Sequence, residues 1–202
     1  MVKIEPLGYS SFKVTGRESS LVIDPFHQKA TGLPWVEKEA DLVLISSDHP
    51  GHNNAGGVSG LAYVVSGPGE YEVRGVAVRG FSLGDSTAYQ FRLDGLSFLY
   101  LGGLQGLLAE ECLSQTGETG ILFIPVGGVS TIGAEEAARV VAQVGPRIAI
   151  PMHYQQDTKE LSALAPVDKF VSEMGGGVER VPVLQLKPRA ELPEETKVVI
   201  LE

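Results

Sequence analysis

The stretch Ala40-Asp41-Leu42-Val43-Leu44-Ile45-Ser46-Ser47-Asp48-His49-Pro50-Gly51-His52-Asn53-Asn54-Ala55-Gly56-Gly57 decides how this chain is read. Four apolar residues, Leu42 to Ile45, give way to a polar, turn-forming segment carrying His49 and His52, two of the chain's four histidines. A short aliphatic run bounded by turn residues reads as a buried strand, and the loop after such a strand is delivered to the mouth of a sheet. Two imidazoles at that place invite a metal-site reading, which needs further imidazoles, thiolates or carboxylates converging on one point.

Outward from this stretch toward the N-terminus, the chain is strand-like. Val2 to Leu7, Ser11 to Thr15 and Ser19 to Ile23 are separated by Gly8-Tyr9-Ser10 and Gly16-Arg17-Glu18, the turn chemistry of a meander. Pro25 is expected to hold Asp24 extended where the third run ends. A looser segment, His27 to Lys38, leads into Leu42. On the other side lie Leu61 to Val65, Tyr71 to Arg74, Val76 to Val78, Ala88 to Leu93 and Leu96 to Leu101, punctuated by Gly67-Pro68-Gly69, Gly84-Asp85 and Asp94-Gly95. The Asp-Gly pair is a hairpin signal.

The second half changes character. Leu107 to Thr116, Ala134 to Val144 and Val167 to Met174 have helical spacing. Gly145-Pro146 stops the second of these and the triple glycine at 175–177 stops the third. Ile121 to Val126 and Arg147 to Pro151 read as buried strands between helices, and Val181 to Leu186 and Lys197 to Leu201 finish as strands. A meander followed by alternating strands and helices predicts an α/β fold, a four-layer αββα sandwich, in a single domain over residues 1–202.

Composition narrows the function classes. The chain has 202 residues, 43% hydrophobic and 20% charged, and carries a formal net charge of −9 with Lys and Arg scattered. That balance argues against a nucleic-acid partner. No apolar run reaches membrane-spanning length, so no membrane partner is expected. The single cysteine, Cys112, has no partner for an internal disulfide, and it lies among helical apolar neighbours as a structural thiol. With no signal-peptide pattern at Met1 to Pro6, the expected location is cytoplasmic. A small-molecule ligand and homo-oligomerisation stay open.

Ser47-Asp48-His49-Pro50-Gly51-His52 lies in register with the His-x-His-x-Asp-His motif of the metallo-β-lactamase superfamily, and Leu21 to Asp24 with Pro25 resembles its preceding strand and aspartate. Leu99-Tyr100-Leu101-Gly102-Gly103, Ile124-Pro125-Val126-Gly127-Gly128 and Ile150-Pro151-Met152-His153-Tyr154 resemble its later strands, in order. The pattern is most similar to the small hydrolase branch that includes the ascorbate-6-phosphate lactonase type. The resemblance implies that His49 would serve one metal, that His52 and His153 would serve a second, and that Asp24 would support a ligating histidine from behind.

The departures are as specific as the matches. Ser47 stands where the first histidine of the motif belongs, Gly51 where its aspartate belongs, and Gly103 where the bridging aspartate belongs. No histidine occurs between His52 and His153 to fill the place expected around Phe81 to Asp85. Glycine offers no side-chain ligand, and a protonated serine hydroxyl is a poor one. Without a bridging carboxylate, two cations about 3.5–4 Å apart lose the group that holds them.

The residual family positions are therefore Asp24, Ser47, Asp48, His49, Gly51, His52, Gly103 and His153, with no confident catalytic residue and no nearby carboxylate to neutralise a metal. The expectation is a degenerate dinuclear site with no metal cofactor, retained as a binding or assembly module. The alternative is a hydrolase with one zinc ion on His49, His52 and His153, acting on a small ester, lactone or phosphoester. A third reading is a structural subunit whose old cleft is filled by Phe81, Leu83 and Leu104. The plain readings beside these are loop histidines bonded to backbone at 49 and 52, a satisfied His153 packed beneath Tyr154, and an edge strand at Glu70, Tyr71 and Glu72.

Overall fold

The computed structural model describes residues 1–60, 62–187 and 192–202. In chain order, β1 (Val2–Gly8), β2 (Ser11–Thr15) and β3 (Ser20–Ile23) are followed by α1 (Gln28–Thr31), β4 (Lys38–Glu39) and β5 (Leu42–Ile45). A 3-10 turn at Ala55–Gly57 and β6 (Val58–Ser59) lead to β7 (Tyr63–Ser66), then β8 (Gly69–Val73), β9 (Val76–Leu83), β10 (Ser86–Leu93) and β11 (Leu96–Tyr100). The remainder alternates as α2 (Glu110–Thr116), β12 (Ile121–Pro125), α3 (Ala134–Val144), β13 (Ile148–Met152), α4 (Val167–Met174), β14 (Val178–Val181), β15 (Leu184–Leu186) and β16 (Lys197–Leu201).

One sheet runs β15-β1-β2-β3-β5-β7 and the other β14-β16-β13-β12-β11-β10-β9-β8. They pack face to face because alternate residues of each strand are apolar. Val2, Ile4, Phe12, Val14, Leu21, Ile23, Leu42 and Leu44 of the first sheet share one buried cluster with Phe91, Phe98, Tyr100, Phe123, Ile150 and Met152 of the second. The opposite faces of the central second-sheet strands are apolar too. Leu99, Leu122, Ile124, Ala149 and Ile200 meet Ala137, Val140 and Val141 of α3 and Val167 and Phe170 of α4. Strands buried on both faces read as the continuous apolar runs seen in β12 and β13.

Beyond the first sheet, two parallel connections, β3 to β5 and β5 to β7, are tied to each other. Asn54 donates its Nδ2–H to the Phe26 carbonyl at 3.0 Å and Trp35 its Nε1–H to the Gly57 carbonyl at 2.9 Å. The β4–β6 ladder joins the same two segments. Among the described residues the one α-helix of this layer is the four-residue α1, which lies in the segment read from sequence as loose. The architecture is the αββα sandwich of the metallo-β-lactamase type, with a thin outer layer on this side.

Several boundaries differ from the sequence reading. The strand expected at Leu61 to Val65 is observed at Tyr63–Ser66, and Leu61 lies outside the described residues. The run Val181 to Leu186 is two strands in different sheets, separated at Pro182, which has no N–H for a ladder. The strand begun at Val76 continues through Gly80 to Leu83. Among the described residues no helix is long and apolar enough to cross a membrane.

Candidate functional site

Parallel strands in a sheet end at one side, and ligands bind in the crevice beyond their carboxyl ends. Here β5 ends into Ser46 to Gly57, β11 into Gly102 and Gly103, β12 into Val126 to Ile132, and β13 into His153. The β1–β2 turn and the β9–β10 turn reach the same place. Together they enclose a cleft of about 210 Å³ lined by residues that include Tyr9, Ser47, His49, His52, Asp85, Ser86, Gln105, Thr131 and His153. The Ser46 to Gly57 segment and His153 thus meet at one edge of the sandwich, as the sequence order implies.

Asp24 anchors the floor. It is fully buried, and its Oδ1 accepts the Ser46 N–H at 2.7 Å. Its Oδ2 accepts the Ser46 hydroxyl at 2.5 Å, the Tyr100 hydroxyl at 2.6 Å and the His52 Nδ1–H at 2.7 Å. The residue is not extended, as Pro25 led us to expect: its φ is +46°. Four side-chain hydrogen bonds over-determine this conformation against its local cost. The bond from Nδ1 fixes the His52 ring, since a carboxylate can only accept.

His153 sits at the end of β13 with a φ of +54°, and its backbone N–H donates to the Tyr9 carbonyl at 3.1 Å. Its Nε2 is in a short hydrogen bond with the Tyr9 hydroxyl, and the two rings are 4.4 Å apart. Among the described residues its Nδ1 is buried without a partner. The ring is therefore packed against Tyr9, not held satisfied beneath Tyr154. Burial, then the neighbouring His52, push its pKa down to about 4, so it is neutral at physiological pH. Burial, reinforced by Asp24, moves the Tyr9 and Tyr100 phenols well above their ordinary range, so both remain donors.

His49 is exposed, and its Nδ1 accepts the Gly51 N–H at 3.1 Å, as a loop histidine does. Its ring centroid lies 6.1 Å from that of His52, and His52 in turn lies 6.1 Å from His153. Asp48 turns away to close its own loop, its carbonyl and Oδ1 accepting the Asn53 amide at 2.8 and 3.0 Å. Gly103 donates its N–H to the Ser86 hydroxyl at 3.0 Å and shows the cleft only backbone. Phe81 and Leu104 belong to the buried cluster between the second sheet and the helices, with Leu83 packed against it, so they do not fill the cleft. A carboxylate does border the cleft, that of Asp85 on the β9–β10 turn, in place of the expected absence.

A profile of the β-lactamase superfamily domain matches residues 3–153. The chain belongs to this superfamily. It is 27% identical over 230 residues to a UPF0173 metal-dependent hydrolase of Pyrococcus abyssi, covering 95% of this chain and 99% of that protein. Identity to a UPF0173 metal-dependent hydrolase of Thermococcus onnurineus is 29% over 199 residues, 76% of this chain and 85% of the relative. The crystal structure of a Thermotoga maritima protein, named as a Zn-dependent hydrolase of the metallo-β-lactamase superfamily, aligns over 100% of this chain and 99% of its own with a TM-score of 0.86 and 33% identity. The short form of human tRNase Z shares the fold alone, at a TM-score of 0.55 and 10% identity.

As a metallo-β-lactamase superfamily member, this chain can be tested for the metals its superfamily uses. Two cations need a carboxylate between them, and Gly51 and Gly103 provide none. The lone pair of His153 that faces Tyr9 is engaged by a phenol. Among the described residues no group of three or more His, Cys, Asp or Glu side chains is arranged to hold a metal ion. The donor set does not fit a dinuclear centre. What remains is a small cleft of hydroxyls, an amide, imidazoles and the Asp85 carboxylate at its border, able to hydrogen-bond a polar molecule. Tyr9, Tyr100 and Asp85 went unrecognised in the sequence as parts of this site; Tyr9 and Asp85 read there only as turn residues, in Gly8-Tyr9-Ser10 and Gly84-Asp85.

Proposed function

We propose that this chain is a metallo-β-lactamase-fold binding module whose cleft receives a small polar ligand and no longer performs two-metal hydrolysis. The observation that carries the reading is the contrast within one cleft: its polar walls persist, while the positions at Ser47, Gly51 and Gly103 bring no imidazole or carboxylate to its centre. Its size favours a ligand smaller than a drug-sized molecule, for which pockets of about 300–1,000 Å³ are usual. The test is hydrolysis of lactone, phosphodiester and β-lactam probes with and without added zinc, alongside melting curves in the presence of small polar compounds. The reading expects no zinc-dependent turnover and a ligand-dependent rise in melting temperature. Zinc-stimulated turnover that disappears in His153→Ala would overturn it.

One observation favours a second reading, a hydrolase with a single zinc on His49, His52 and His153 acting on a small ester, lactone or phosphoester: all three imidazoles border the same cleft. The names of the archaeal relatives point the same way. Against it stand the Tyr9 hydroxyl on His153 and the outward-lying His49. The turnover assay separates the two.

A further inference from the structure

We infer that Tyr9 and Gly51 form a matched pair that keeps this cleft in a metal-free arrangement, Tyr9 by occupying the Nε2 of His153 and Gly51 by leaving room for the Tyr9 ring. The inference rests on the binding-module reading above and names the residues that enforce it. The phenol hydroxyl of Tyr9 is hydrogen-bonded to Nε2 of His153, whose Nδ1 has no partner among the described residues. Its ring packs beside both inner histidines, 4.4 Å from His153 and 5.4 Å from His52 by ring centroids. A Cβ at position 51 would come within 3.1 Å of Tyr9 Cε1 and 3.2 Å of His49 Nδ1. Both distances are tighter than a carbon atom ordinarily accepts, so relief requires a neighbour to move.

The Tyr9 main chain is held in place. Its N–H donates to Gln156 Oε1 at 3.2 Å, its carbonyl accepts the His153 N–H at 3.1 Å, and its φ is already +58°. An aspartate at position 51, where the superfamily motif has one, therefore needs the Tyr9 or the His49 side chain to give way by a few tenths of an ångström. At Gly103 the situation differs: an added Cβ meets only Ser86, at 3.4 Å, an ordinary contact. The steric conflict is thus confined to the Tyr9 side of the cleft, which assigns Tyr9 the role of a residue that discriminates against metal.

Two measurements test this on the full chain after dialysis against chelator. Zinc titrated calorimetrically should bind Tyr9→Phe about tenfold or more tightly than the unmodified protein, because the phenylalanine keeps the ring and frees Nε2. Tyr71→Phe serves as the control, since its hydroxyl donates to the Gly67 and Pro68 carbonyls and lies outside the cleft lining; it should not change zinc binding. In a double-mutant cycle, Gly51→Ala should lower the melting temperature by several degrees in the unmodified background and by clearly less in Tyr9→Ala. Unchanged or weaker zinc binding by Tyr9→Phe, an equal gain in Tyr71→Phe, or equal Gly51→Ala penalties in both backgrounds would each overturn the pairing. Stoichiometric zinc in the unmodified protein as isolated would instead overturn the binding-module reading itself, so the two failures are distinguishable.

Discussion

Removing the Asp24 carboxylate leaves four buried donors facing one another: the Ser46 N–H, the Ser46 and Tyr100 hydroxyls and the His52 Nδ1–H. Each buried donor left unsatisfied costs about 1–3 kcal/mol before relaxation. Asp24→Ala should therefore lose at least about 3 kcal/mol in denaturant unfolding, and Asp24→Asn should also be damaging because its amide aims a donor at donors. A loss below about 1 kcal/mol would mean that the network is incidental. His153 provides a pH test. Its pKa is depressed to about 4 in the folded protein and returns to an ordinary imidazole value, about 6.5, on unfolding. Between these values the unfolded chain binds the extra proton, so stability rises with pH there. Metal-depleted protein should be fully stabilised by this group above about pH 6.5 and progressively lose that stability down to about pH 4, with His153→Gln flattening the curve. Of the residues around the cleft, His49, His52 and His153 were legible from spacing and order, and Asp24 through the resemblance to the superfamily. Tyr9 was not, because its partner His153 is 144 positions away and nothing local to Gly8-Tyr9-Ser10 distinguishes it from a turn residue.

The strand-to-loop transitions carry the site, and Gly127 holds one of them in place. A Cβ on Gly127, just past β12, would lie 2.1 Å from the His153 carbonyl oxygen. That contact is with backbone and cannot be relieved by rotating a side chain. Gly127→Ala should destabilise the fold by about 3 kcal/mol, the upper part of the usual overpacking range. It should also move His153, visible as a changed imidazole NMR signal; a neutral substitution would contradict this placement. The elements legible in sequence were those whose ends carry their own chemistry. Helices α3 and α4 occur where their spacing put them, with α3 ending in a left-handed Gly145 and α4 in a left-handed Gly175. The hairpin at Asp94-Gly95 has both residues at positive φ, as its type requires. Strand β9 was cut short in the sequence because Gly80 resembles a break; in the fold it is the place where the Gly67 carbonyl approaches to 2.6 Å of a would-be Cβ. Helix α2 begins at Glu110, later than its apolar pattern from Leu107 indicates, and α1 was hidden in a segment too short and polar to show a period.

At the scale of the whole molecule, two sheets that share one apolar interior account for most of the sequence's apolar periodicity, and the order of motifs along the chain places its loops at a single edge. The overall sandwich could be read because burial pattern and chain order report long-range structure redundantly. The state of the cleft could not, since it depends on which side chains meet across loops from β1, β5, β11 and β13. With a net charge of −9, the surface gives no general attraction for phosphate backbones, so we expect the chain to be isolated free of nucleic acid. The measurement that bears most directly on the account is elemental analysis of untagged protein purified without chelator, combined with the same analysis of His153→Ala. The account predicts no stoichiometric metal in either protein; one tightly bound zinc per chain that is lost in His153→Ala would contradict it.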